Sequence, residues 1–206
     1  MALDPENSME QAILQEAERL FLEKGFALTS TTEIAKAVGC NQALIHYYFR
    51  TKENLFEAIF EKKALVFFSD FHTIDVGAFS FEESLRRKIE AHFDMVRANP
   101  QLPFLIFNEL ITNPGRIDSL KARIGSMVAG VFSPLEARLK EEIAKGRIRP
   151  ISAFDLIVDI ISLNVAFFLA TPILRAIRKI SDEEFELVVE ARRRENVEVI
   201  LRSLRP

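Results

Sequence analysis

The 23 residues from Ser30 to Lys52, STTEIAKAVGCNQALIHYYFRTK, constrain the fold more than any other part of the chain. Ser30 suits a helix N-cap, and Glu33 three residues on completes a capping box. Ile34, Ala35 and Val38 recur at helical spacing, so a short helix has one face to bury. Gly39 ends it, because glycine tolerates the left-handed conformation at a helix C-terminus. Asn41 caps a second helix that begins at Gln42. Two short helices joined by a tight glycine turn form a helix-turn-helix.

The second helix has a direction. At 100° per residue, Ile45 and Phe49 share one side and can pack on the first helix. Ala43 and Tyr47 point away, flanked by Leu44, His46 and Tyr48. An ordinary solvated face would carry Lys or Glu. This one carries groups suited to a major groove: apolar contacts for thymine methyls, hydrogen-bonding groups for base edges, and phenols for phosphates. Tyr47 and Tyr48 are the only two tyrosines in the chain. Lys52 opens the next helix, where an ammonium group and free backbone N–H groups favour a phosphate.

TTEIAKAVG, a second helix ending in HYYF, and then RTKENLF together resemble the DNA-binding domain of the TetR family of bacterial transcriptional regulators. Specific motifs carry the resemblance over residues 9–60; beyond them it extends only to an all-helical layout. It implies DNA contact through Thr31, Thr32, Gln42, Ala43, Leu44, His46, Tyr47, Tyr48 and Lys52. His46 stands where the family most often has tyrosine, so position 46 is open to a phosphate or to a base.

The rest of the chain reads as helices. Residues 1–8 read as a loose arm, with a helix start at Pro5 as the alternative; from Met9, apolar residues at Met9, Ile13, Ala17, Leu20 and Phe21 give an amphipathic helix ending at Gly25. A fourth helix runs from Lys52 through Phe71, with an apolar face that continues through Phe67, Phe68 and Phe71; residues 73–80 read as a loop. Further helices are expected over 81–98, 103–112, 117–145 with a kink at Pro134, 153–169 with a stop or kink at Pro172, and 182–204. The expected architecture is all-α with about nine helices: a three-helix DNA-binding domain at 1–54 and a larger helical ligand-binding and dimerisation domain at 55–206. Residues 160–174 carry no charge, but that run is shorter than the ~20 residues a bilayer requires.

Residues 64–206 hold 13 of the 18 Phe. Phenylalanine usually fills cores, but the resemblance implies a ligand pocket. Phe93, Phe104, Phe107, Phe132 and Phe168 are its candidate walls, with His92 and Asn108 as polar groups for a small hydrophobic or aromatic ligand. A satisfied core histidine is the competing reading of His92, and Asn164 is a candidate for fixing dimer register. The resemblance also implies that the last two helices form a homodimer, for which Phe185, Val189, Val197 and Ile200 are the expected seam.

Charge and motifs limit the alternatives. The net charge is −3, and residues 1–63 hold seven Lys/Arg against ten Asp/Glu, so non-specific DNA affinity should be weak. Within Ser30–Lys52 the balance reverses: Lys36, Arg50 and Lys52 face Glu33 alone. No HExxH, Gly-rich phosphate loop, paired cysteines or GxSxG is present, so neither an enzyme, a cofactor nor a metal is expected. The single Cys40 reads as core packing, and with no visible signal peptide it fits a reducing cytoplasm. The sequence therefore points to a regulator, most simply a repressor released from a palindromic operator by its ligand. An apolar-ligand carrier with a vestigial helix-turn-helix is the rival reading.

Overall fold

The structure, a computed structural model, describes residues 5–74, 79–179 and 181–206, with side chains for all of these except 5–8 and 66–74. Among the described residues it is all-α: α1 (Pro5–Lys24), α2 (Thr31–Val38), α3 (Gln42–Phe49), α4 (Lys52–Ile74), α5 (Phe81–Ala98), α6 (Leu102–Thr112), α7 (Arg116–Ala144), α8 (Ala153–Arg178) and α9 (Asp182–Ser203). The chain forms two compact units, Met1–Leu65 with Phe104–Ile124 and Val66–Pro103 with Gly125–Pro206. α4 and α7 each contribute residues to both.

The core of the first unit gathers Ile13, Ala17, Leu20 and Phe21 of α1, Ile34 and Ala35 of α2, Ile45 and Phe49 of α3, and Leu55, Phe56 and Ile59 of α4. Phe21, Phe26 and Phe56 form an aromatic triad with centroids 5.3–5.9 Å apart. Leu105 of α6 joins the same core. The boundary expected at residue 54 is therefore too early, and residues 104–124 belong here rather than with the rest of 55–206. Polar chemistry explains why. Glu53, Glu57 and Glu61 line one face of α4 at four-residue spacing. The Glu57 carboxylate accepts from Ser119 Oγ at 2.7 Å and from Arg123 Nε at 3.0 Å. Arg123 also reaches Glu61 at 3.0 Å. The Arg116 guanidinium stacks 4.1 Å from the Phe26 ring and lies 3.7 Å from the buried Glu109 carboxylate.

The core of the second unit is built where α5, α8 and α9 pack on one another. Leu85, Ile89, Leu156, Ile160, Val197 and Ile200 meet Leu135 and Leu139 of α7. A second cluster joins Phe93, Val96, Val165, Phe168 and Val189. Ion pairs fix the antiparallel register of α5 and α9: Arg86 with Glu198 (3.0 Å), Arg193 with Asp94 (2.7 Å), and Arg97 with Glu190 (2.6 Å). Such exposed pairs add little stability individually; here they specify alignment.

One expectation changes at a proline: α8 continues past Pro172 to Arg178 instead of ending near Leu169, while α7 is one continuous helix with Pro134 inside it, as expected. A proline removes one backbone hydrogen bond, a loss that a long helix with a buried face can absorb. At 26 residues α8 is long and apolar enough to cross a membrane, yet Leu156, Ile160, Asn164, Val165 and Phe168 are buried against α5 and α9. The expected 73–80 loop starts later, since α4 extends to Ile74, and its residues 75–78 lie outside the described residues. The side chains of Phe67, Phe68 and Phe71 also lie outside them.

The dimer residues need correction as well. Val189, Val197 and Ile200 are no more than 1% exposed and belong to the protomer's own core, while Phe185 packs against that core beside Phe167. The large apolar residues that α8 and α9 leave open are others: Phe154, Val158, Leu169, Ile173, Leu174 and Ile177 on α8, and Leu187, Val188 and Val199 on α9. The α9 periodicity was sound, but the stripe is filled from within the chain.

Arg116→Ala should leave the Glu109 carboxylate buried without its cation and open a gap against Phe26. A loss of roughly 3 kcal/mol in unfolding free energy is expected, measured by urea denaturation. Removal of the exposed Lys140–Glu136 pair should leave the transition nearly unchanged.

Candidate nucleic-acid interface

The helix-turn-helix closes as its residues dictate. Ser30 Oγ accepts from Glu33 N at 3.1 Å. Gly39 takes φ 77°, and Cys40 N donates to Ala35 O at 2.9 Å, a Schellman-type ending. Asn41 Oδ1 accepts from Ala43 N at 2.9 Å. One detail of the capping box differs. The Glu33 carboxylate is drawn chiefly to the Lys24 ammonium, which holds its pKa below the usual value, and only secondarily to the Ser30 backbone. Cys40 packs against the core, as expected.

Thr31, Thr32 and Gln42 come together across the turn. Gln42 Nε2 donates to Thr31 Oγ1 at 2.9 Å, and Thr32 Oγ1 donates to Gln42 Oε1 at 3.1 Å. The Gln42 amide plane is thus held before any ligand arrives, with a donor hydrogen and an acceptor lone pair to spare. Ala43, Leu44, His46 and Tyr47 form the exposed side of α3, with Tyr47 62% exposed. Tyr48 is half-buried, packed against the core and edge-on to Tyr47 at 5.2 Å.

Lys52 has a structural duty the sequence reading lacked. Its Nζ donates to Phe26 O and Thr29 O, both at 2.9 Å, and sits 4.2 Å from the Phe26 ring centroid. Two of the three ammonium hydrogens therefore secure the α1–α2 turn, and one is left for a phosphate. Arg50 was also overlooked. It has φ 65° and ψ −50°, and Thr51 N reaches back to Phe49 O at 2.7 Å, closing a γ-turn with positive φ. This turn aims the Arg50 carbonyl at the His46 ring, whose Nδ1 lies 2.9 Å away. No sequence rule signals positive φ at an arginine.

The candidate ligand residues do not gather in the same way. Phe104 and Phe107 are 63% and 46% exposed, and Asn108 is exposed beside them on α6. Phe132 packs at the edge of one core cluster, while Phe93 and Phe168 lie inside the other, 5.0 Å apart. A cleft of about 130 Å³ in the second unit is lined instead by Phe81, Ile148, Leu201 and Leu204 with Arg147 and Glu198.

His92 and Asn164 belong to a buried polar node. Asn196 Nδ2 donates to Asn164 Oδ1 at 2.9 Å; Asn164 Nδ2 donates to Ile89 O at 3.1 Å and lies 3.0 Å from His92 Nδ1. Nδ1 must accept, which places the His92 proton on Nε2. Burial pushes this imidazole down from 6.5 to about 4. Asn164 therefore sets register within a protomer, joining α5, α8 and α9, and not between protomers. Asn196 and the buried Ser84 and Lys88 of α5 were missed. Ser84, Lys88 and His92 recur every four residues, a buried polar stripe that resembles a solvated one in sequence.

Comparison with known proteins adds to this geometry. Residues 13–59 match the family described as bacterial regulatory proteins, tetR family. Over 137 residues, 66% of this chain and 69% of the relative, the chain is 24% identical to the fatty acid metabolism regulator protein of Bacillus subtilis strain 168. Over 196 residues, 89% of this chain and 95% of the relative, it is 25% identical to the nucleoid occlusion factor SlmA of Marinobacter nauticus. A solved structure of the fatty acid degradation regulator FadR from Bacillus halodurans aligns with a TM-score of 0.67 at 18% identity, covering 96% of this chain and 97% of that one. At that identity the likeness is one of fold.

The buried node makes stability depend on pH. The His92 pKa is lower in the folded state than in the unfolded chain, so between about 4 and 6.5 the unfolded chain binds more protons and acid favours unfolding. His92 should remove about 2 kcal/mol of stability between about pH 7.5 and pH 5. His92→Gln should flatten that part of the profile, as measured by urea unfolding at the two pH values.

Proposed function

The chain belongs to the tetR family of bacterial transcriptional regulators, and on that footing we propose that it is a homodimeric repressor of a palindromic operator, released by a small hydrophobic ligand. The observation that carries the DNA-binding part is the face of α3. Gln42 is held by two threonines, His46 by a backbone carbonyl, and Tyr47 stands clear of the core. Groups held in advance lose little freedom when they meet a base edge or a phosphate. In a dimer, two such helices enter successive major grooves roughly 34–36 Å apart.

The open apolar stripe on α8 and α9 supports the dimer, and in this reading the seam consists of Phe154, Val158, Leu169, Ile173, Leu187 and Val188. An acyl-chain ligand is supported by the fatty acid regulators among the similar proteins. Phe93, Phe168 and His92 remain its wall candidates. Release follows if the ligand favours a conformation in which the two recognition helices are wrongly spaced; linkage then requires the operator to weaken ligand binding by the same factor. DNA binding without a metabolite is favoured by one observation, the likeness along 89% of the chain to a protein named for nucleoid occlusion.

Gel-shift and footprinting on DNA flanking the gene, at about 150 mM salt where non-specific attraction is weak, should give a palindromic footprint that long-chain fatty acids or their thioesters abolish. A footprint indifferent to all of them would favour the second reading. Tyr47→Ala should weaken the specific complex about tenfold or more while leaving the dimer intact. Ile173→Glu should give folded monomers by sedimentation, whereas Val197→Glu, which buries a charge in the protomer core, should fail to fold.

A further inference from the structure

The structure specifies more about His46 than its exposure. Its Nδ1 faces the Arg50 carbonyl at 2.9 Å. A carbonyl oxygen only accepts, so Nδ1 carries the hydrogen, and in the neutral ring Nε2 is left as a bare acceptor. Nε2 has no partner among the described residues. The arrangement is enforced from both sides. Arg50 N donates back to His46 O at 3.0 Å, and the γ-turn at Arg50 keeps its carbonyl turned toward the ring.

A bare acceptor selects its partner. Phosphate oxygens are themselves acceptors and offer it nothing. In the major groove only adenine N6 and cytosine N4 present amino hydrogens; guanine offers N7 and O6, and thymine offers O4 and a methyl group. We propose that His46 is a specificity-determining residue whose Nε2 accepts a hydrogen bond from the exocyclic amino group of adenine or cytosine, and that it does not hold a phosphate. The inference rests on α3 being the DNA-contacting helix. It assigns position 46 a different task from a tyrosine in the same place, whose hydroxyl can donate to phosphate.

The test begins with selection of an operator from random DNA by the full-length protein. Every single base-pair variant of that operator is then titrated with wild type, His46→Asn and His46→Ala, at about pH 8, where imidazoles in general are neutral, and about 150 mM salt. The asparagine amide can still donate to the Arg50 carbonyl but leaves nothing at the Nε2 position. His46→Ala removes both groups, and the exposure of the site lets both variants fold. Wild type should lose roughly tenfold in affinity at one position per half-site when its adenine or cytosine is replaced. Both variants should lose that preference, keep the preferences elsewhere, and show an unchanged dependence of log affinity on log salt.

A uniform loss across all sequences, with the salt slope smaller by about one, would make His46 a phosphate contact and overturn the proposal. Preferences identical to wild type would overturn it too, since His46 would then read nothing. A wild-type protein that selects no sequence would remove the regulator reading itself, an outcome distinct from either of these.

Discussion

The ammonium group of Lys52 joins three helices. It opens α4, yet its hydrogens close on the carbonyls of Phe26 and Thr29 in the turn between α1 and α2, and it lies over the Phe26 ring. Thr29, buried next to it, turns its hydroxyl toward Gly25 O at 2.9 Å. Carbonyls that belong to no helix require donors when they are buried, and one lysine supplies two of them. The position of Ser30, and so the start of α2, follows from that turn. Thr31 and Thr32 then stand where they can hold Gln42, and the recognition face is set by contacts that begin at its far side.

The same economy of polar groups appears in the second unit, with a different purpose. Three side-chain amide and imidazole groups are sealed among Ile89, Leu163 and their neighbours, and each bond in the chain from Asn196 to Asn164 to His92 has a defined direction. Apolar packing alone would let α8 slide by a turn against α5 and α9. A slide that separated these groups would leave several of them unpaired, at about 1–3 kcal/mol each. The node thus selects one alignment, and the arginine–carboxylate pairs along α5 and α9 select the same one.

Three helices are the covalent link between the part proposed to face DNA and the part proposed to bind ligand: α4 and α7 begin in the first unit and end in the second, and α6 begins at the end of the second and runs into the first. Within the first unit the start of α7 is held by Arg116, Ser119 and Arg123. Glutamates at four-residue spacing on α4 are visible in the sequence, but nothing there says whether they meet solvent or an arginine 62 or 66 residues away. The division of residues 104–124 from their neighbours was for that reason not legible.

The sequence by itself determined the helices, the caps of α2 and α3, and which side of α3 is exposed, because these depend on residues within four positions of one another. It also determined the family, since its motifs lie in one continuous segment. Tertiary structure alone decided which partner each apolar stripe meets. Val189, Val197 and Ile200 form a stripe of the kind a dimer seam would show, and the partner turned out to be α5 and α8 of the same chain. It also decided the tautomers of His46 and His92, because a ring nitrogen takes its role from the atom opposite, and those atoms were supplied by a strained turn in one case and by another helix in the other. Hydrophobic periodicity records that a face is covered, and it carries no information on what covers it.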